Sequence, residues 1–167
     1  MRIFSGFKRE ICCADPRICL LTTAVTLFLG SLSLLLSRAG SCYALLAMPA
    51  FAVGYIGWLI LWMLHYILAG IALGLTVSNC CSYRRLIGRG VIIWGFFLLC
   101  SLLWVPLFFS AGMQITALLL IAAAVCFGLC ALTSFARRSL LSAVLMLVCI
   151  WWQIYTFLQT LLIILWN

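Results

Sequence analysis

The chain carries almost no alternation of polar and apolar positions; long apolar runs are broken by short polar or basic interruptions. The first run, Ile18 to Ser37, stops at Arg38. The next, Ala44 to Val77, would reach roughly 51 Å as one helix at about 1.5 Å per residue, too long for one simple span and too short for two. Pro49 and Gly54 resolve the length: the pattern predicts a loop over 39–50 folded against the membrane surface, then a second helix over about 51–77. Further helices are predicted over 90–109, with Pro106 near the end, 114–135 and 140–166. A bilayer core about 30 Å thick needs roughly 20 apolar residues per crossing, so these are five spans. The expected fold is an all-α integral membrane bundle of five transmembrane helices, residues 1–167 forming one membrane domain. No internal repeat is visible, which disfavours an inverted-repeat transporter.

Composition turns this pattern into a statement about solvent. Of 167 residues, 68% are hydrophobic and 7% charged, too few polar groups to cover a soluble surface. The net charge of +8, with Glu10 and Asp15 the only acids, would suggest nucleic acid in a soluble protein. Here the basic residues sit between apolar runs as topology signals, and no nucleic-acid partner is expected. Arg2, Lys8, Arg9, Arg17, Arg84, Arg85, Arg89, Arg137 and Arg138 fall on one side of a five-span bundle and Arg38 on the other. That asymmetry predicts a cytoplasmic N-terminus and an outside C-terminus. The expected location is a multi-pass protein of the inner (cytoplasmic) membrane of a bacterium. The N-terminus does not read as a cleaved secretory signal, because its basic region is long and contains acids. Of the ten cysteines, Cys100, Cys126, Cys130 and Cys149 lie within spans, where Cys behaves as a small hydrophobe. Cys12, Cys13, Cys80 and Cys81 lie beside arginines on the reducing side, and Cys42 faces the other compartment without an obvious partner. Cys12, Cys13 and Cys19 are open to lipidation or to inert packing.

Candidate chemistry is sparse. No Asp or Glu lies in a span, which removes the usual carboxylate of coupled carriers. Nor is there a Walker loop, a His-Glu zinc helix, a Ser-His-Asp set or a carboxylate pair. Binding, sensing or passive passage remains. Trp94 and Trp166 suit interfacial roles, whereas Trp62, Trp151 and Trp152 fall near mid-membrane. Trp58, Trp62, His65 and Ala69 share a face of the second helix, and Trp151, Tyr155 and Gln159 share one on the fifth. Helix packing and an apolar ligand pocket both account for these stripes. Gln153 and Gln159 are expected to point inward to hydrogen-bond partners. His65 reads either as a packing histidine or as an axial ligand, and no metal site is expected. Gly70 and Gly74 form a small-xxx-small step for close helix approach, within the monomer or toward a second copy. Val77, Tyr83 and Arg85 match the loose cholesterol-recognition pattern, which carries little weight.

Cys42-Tyr43, Leu46, Pro49 and Phe51, followed by Trp62, Tyr66 and Gly70, are similar to the second-helix signature of the TspO/MBR family of tryptophan-rich sensory and translocator proteins. Leu103-Trp104-Val105-Pro106-Leu107-Phe108-Phe109 looks like the W-x-P-L-F-F ending of its third helix, and Trp151 precedes Leu158-Gln159 as a tryptophan precedes the family's Leu-Asn pair. The resemblance spans residues 41–166 and departs at Val53, Gly54 and Ile56, at Phe97 and Ser101, at Leu120 and at Gln159. The C-terminal cholesterol motif of animal members is missing, since no basic residue follows Arg138. The resemblance implies five helices around a cavity that opens toward the first loop. It also implies binding of a tetrapyrrole such as protoporphyrin or haem, or of another flat hydrophobic, even sterol-like, molecule. The ligand-binding set it implies, together with the stripes, is Pro49, Phe51, Trp58, Trp62, His65, Tyr66, Trp104, Phe108, Trp151, Tyr155 and Gln159, with Trp62 and Trp151 as opposing walls and Pro49 and Phe51 shaping a lid. No obligatory cofactor and no enzyme activity are expected; light-dependent porphyrin breakdown enters only through the resemblance. The expected partners are the bilayer, the small molecule and a homodimer mate. The rival readings are a small membrane scaffold whose aromatics only pack, and an uncoupled carrier of apolar solutes.

Overall fold

The computed structural model describes residues 14–37, 39–43, 45–46, 48–78 and 84–166, with side chains in the last stretch from 88 onward. Arg2, Lys8, Arg9, Arg38, Cys12, Cys13, Cys80, Cys81 and Tyr83, and the side chains of Arg84 and Arg85, lie outside the described residues. The described chain forms helices α1 (Pro16–Leu36), α2 (Ala39–Tyr43), α3 (Tyr55–Ser78), α4 (Arg84–Phe109), α5 (Gln114–Ala136) and α6 (Leu140–Trp166). All but α2 are long and apolar enough to cross a membrane, and they form a five-span bundle. Around the bundle α1 packs on α3, α3 on α6, α6 on α5 and α5 on α4, and α4 closes the ring against α1. Outer faces carry exposed Leu20, Phe28, Leu35, Ile115 and Leu165, the surface of a protein whose solvent is hydrocarbon.

Local chemistry sets the ends. Asp15 caps α1 by accepting from the Arg17 amide at 2.9 Å, with Pro16 in the first turn, where its missing N–H costs nothing. Pro106 removes a donor from α4 and so orphans the carbonyl one turn back, on Leu102. Ser33 of α1 donates to that carbonyl at 2.5 Å, so the defect becomes an interhelical bond. Three residues beyond the proline, α4 ends at Phe109, and Gly112 supplies the left-handed turn (φ 64°) into α5. Ser139 caps α6 by accepting from the Ser142 amide.

Hydroxyl groups stitch two of the bundle's seams. Between α1 and α3 the backbones nearly touch: Gly70 and Gly74 face Thr22, Thr23, Thr26 and Cys19. Thr22 donates to the Gly70 carbonyl at 2.9 Å and Thr26 to that of Tyr66 at 3.0 Å. The Gly70–Gly74 step therefore serves packing inside one chain and is covered by α1. Between α3 and α6, Ser142 donates to the Ala72 carbonyl and lies 2.6 Å from the Thr76 hydroxyl.

The first connection differs from its prediction. Residues 39–50 contain the short helix α2, and the second spanning helix begins at Tyr55 instead of 51. Gly54 gives α3 its first carbonyl, accepting from Trp58 at 2.9 Å. Residues 48–54 remain an irregular strap because its polar groups bond elsewhere. The Val53 amide donates to the Tyr155 hydroxyl at 3.2 Å, and the Val53 carbonyl accepts from Tyr43 at 2.5 Å.

Candidate functional site

The strap crosses one end of an aromatic interior. Periodicity puts Trp58, Trp62, His65, Tyr66 and Ala69 on the inward face of α3, and all are buried. From α4 come Trp104, Phe108 and Phe109, also buried. Trp62 and Trp104 stack at 5.4 Å with planes 16° apart, and Trp104 stacks on Phe108 at 5.5 Å and 13°. These rings make three near-parallel layers. Trp58 meets Trp62 and Phe109 edge-on at 6.0 and 5.5 Å, and Tyr43 leans on Trp58 at 5.6 Å.

The strap is held by hydroxyls from both sides. Tyr155 accepts from Val53 and donates to the Phe51 carbonyl at 3.4 Å, while the Phe51 ring meets Tyr155 edge-on at 5.9 Å. Within the strap Pro49 is buried and Phe51 is half exposed. Gln159 donates to the Tyr43 hydroxyl at 3.3 Å, which links strap, α2 and α6. Burial raises the Tyr43 hydroxyl above the ordinary tyrosine range, and the Gln159 hydrogen bond opposes that rise.

Deeper in the bundle, Gln153 is fully buried. Its Nε2 lies 3.1 Å from His65 Nε2 and donates to Ser101 Oγ at 2.5 Å. Ser101 in turn donates to the Phe97 carbonyl at 2.8 Å. Both glutamines thus find the inward partners their polarity requires. Among the described residues, buried polar atoms without a partner include Trp62, Trp104 and Trp152 Nε1, His65 Nδ1, Gln153 Oε1 and Gln159 Oε1.

Trp151 corrects an expectation. It is 74% exposed on the lipid-facing side of α6 and does not oppose Trp62. Its neighbour Trp152 takes that position, meeting Trp62 edge-on at 6.0 Å and stacking on Tyr155 at 5.0 Å. The structure brings together Trp58, Trp62, Tyr66, Trp104, Phe108, Tyr155 and Gln159, with His65 edge-on to Trp62 and Phe51 against Tyr155, while Pro49 is buried within the strap. Tyr43, Tyr55, Phe109 and Trp152 belong to the same cluster and were not in the ligand-binding set expected from the sequence. Tyr43 and Phe109 had a signal, as parts of the motifs, and Trp152 had one in its mid-membrane position. Among the described residues no group of three or more His, Cys, Asp or Glu side chains is gathered for a metal.

Five spanning helices closed around stacked aromatic rings, with no acid in any span, define a small multi-pass membrane protein with an aromatic, uncharged interior. The chain belongs to the TspO/MBR family, whose model matches residues 19–166, nearly the entire chain. That family is membrane-associated and binds tetrapyrrole or sterol-like ligands. No curated protein sequence matches the chain.

Proposed function

We propose that this protein binds a flat, largely apolar ligand of the tetrapyrrole class beneath the 48–54 strap, and acts as a sensor or carrier without covalent chemistry. The observation that carries this reading is the Trp62–Trp104–Phe108 stack, three near-parallel ring faces next to a strap that few bonds hold. A planar macrocycle extends such a stack face to face, and the unpaired Trp62 and Trp104 N–H groups and Gln159 Oε1 offer polar contacts at its edge. Opening requires release of Val53 from Tyr43 and Tyr155 and of Phe51 from Tyr155, and no helix need unfold. The setting is the cytoplasmic membrane, with the N-terminus inside.

Titrating the reconstituted protein with protoporphyrin IX while following tryptophan fluorescence tests the reading. Stacking on one ring contributes about 0.5–1.5 kcal/mol beyond area burial, so Trp104→Ala should weaken binding up to about tenfold. Trp151→Ala, on the lipid face, should change it little. Absence of saturable quenching, or equal effects of the two substitutions in variants that retain helical circular dichroism, would overturn the proposal.

A further inference from the structure

A groove opens on the lipid-facing surface between α3 and α6. Leu61, Leu64 and His65 line it from α3, and Val148, Cys149 and Trp152 from α6. Leu64 and Val148 are exposed at its mouth. Its volume, about 190 Å³, falls below the roughly 300 Å³ at which ligand pockets begin, so it is no second site for a macrocycle. Its surface is apolar, which suits the passage of an apolar molecule and gives nothing to capture it.

Trp152 is the wall that this groove shares with the aromatic interior. Its ring lines the groove, meets Trp62 edge-on at 6.0 Å and stacks on Tyr155 at 5.0 Å. Among the described residues, the Trp62 contact is the one aromatic contact between α3 and α6. Trp152 is half-buried and its Nε1 has no hydrogen-bond partner, so the ring can swing toward the lipid without breaking a polar bond.

The seam is bonded on one side of this wall only. Away from the strap, Gln153 lies 3.1 Å from His65, the Cys149 thiol faces the His65 carbonyl at 3.7 Å, and Ser142 bonds to Ala72 and Thr76. Between His65 and the strap, among the described residues, no hydrogen bond joins α3 to α6. There α6 reaches the strap instead, through Tyr155 to Val53 and Phe51. Freed from those bonds, the strap-side halves of the two helices part while the far halves stay stitched. Phe51 and Ile56 are exposed and extend the lipid-facing row of Ile60 and Leu64 on α3, so the seam parts into bilayer and not into water.

We infer that the aromatic interior exchanges its ligand laterally with the bilayer, through the strap-side half of the α3–α6 seam, and that Trp152 is the gate. This rests on the tetrapyrrole reading above and adds the route. The groove is the vestibule, and a planar macrocycle passes edge-first through a slot one ring thick once Trp152 turns aside.

Obstructing a route slows entry and exit alike and leaves Kd unchanged, because both directions cross the same barrier. Stopped-flow quenching of tryptophan by protoporphyrin IX in proteoliposomes gives the association rate, and equilibrium titration of the same liposomes gives Kd. Leu64→Phe and Val148→Phe narrow the mouth from either helix without touching the stack. Combined in one protein, they should slow association about tenfold, the effect on a barrier of overpacking at its usual cost, with Kd unchanged. Leu99→Phe, on the exposed face of α4 across the bundle, should change neither. Trp152→Leu, in protein that keeps its helical circular dichroism, should speed association. An association rate unmoved by the paired groove variants, or equal slowing by Leu99→Phe, would overturn the route and leave the tetrapyrrole site standing. Absence of saturable quenching in the parent protein would remove the site, and the route with it.

Discussion

The α1–α3 seam lets one methyl group test the packing of the bundle. A Cβ on Gly70 would sit 2.6 Å from the Thr23 Cα and 3.1 Å from the Thr22 carbonyl, with the Thr26 hydroxyl closer still. The first two are backbone atoms and cannot rotate away, so α1 must move as a body. Overpacking of this kind costs about 1–3 kcal/mol. The displacement also stretches the Thr22–Gly70 and Thr26–Tyr66 hydrogen bonds, each worth about 0.6 kcal/mol between membrane helices. Against this, alanine gains up to about 1 kcal/mol of helix propensity. Gly70→Ala should therefore destabilise by about 1–3 kcal/mol. Gly95→Ala provides the control, since nothing lies within 4 Å of its Cβ, and it should stabilise by about 0.5–1 kcal/mol. SDS-titrated unfolding of the detergent-solubilised protein, followed by tryptophan fluorescence, measures both. Equal midpoints for the two variants, or a Gly70→Ala protein as stable as the parent, would refute the close-approach argument.

Tyr155→Phe removes the hydroxyl that accepts from Val53 and donates to Phe51, so hydrogen exchange at the Val53 amide should accelerate roughly 2–10-fold; an unchanged rate would mean the strap is held by something else. Ser33→Ala should cost about 1 kcal/mol by leaving the Leu102 carbonyl without a donor, and distinctly less in a Pro106→Ala background, where the restored amide supplies one. Additive unfolding energies in that double-mutant cycle would break the link between Ser33 and the proline. For orientation, a reporter fused after Asn167 should be active outside the cytoplasm and one at Arg84 inside, and reversal at either point would sink the assignment.

Much of the fold was legible because apolar run length against bilayer thickness is a strong constraint. Five runs of that length, with basic clusters in alternate connections, leave few alternatives. The first connection was not legible for a definite reason. Whether residues 51–54 join the helix depends on where the Val53 amide and carbonyl find partners, and those partners are Tyr155, on the last helix, and Tyr43, on α2. Local propensity carries no information about bonds that span the whole chain. The Gly70–Gly74 step was legible as a close approach, but its partner was not, since any small-faced helix would satisfy the pattern.

The site shows what kind of sequence signal survives in a membrane. Eight residues separate Trp151 from Gln159, a rotation that leaves them about 80° apart on the helix, whereas seven residues separate Trp152 from Gln159 and leave about 20°. Both tryptophans are apolar enough for either face when the solvent is lipid, so aromaticity cannot say which one turns inward. Polarity can. Ser142, Gln153, Thr156, Gln159 and Thr160 are all buried, because hydrocarbon offers their side chains no partner. Trp151 lies about 200° from Gln153 and so faces the lipid. In a soluble helix the apolar stripe marks the core. In α6 the polar stripe marks it, and the same stripe brings Gln153 to Ser101 and His65.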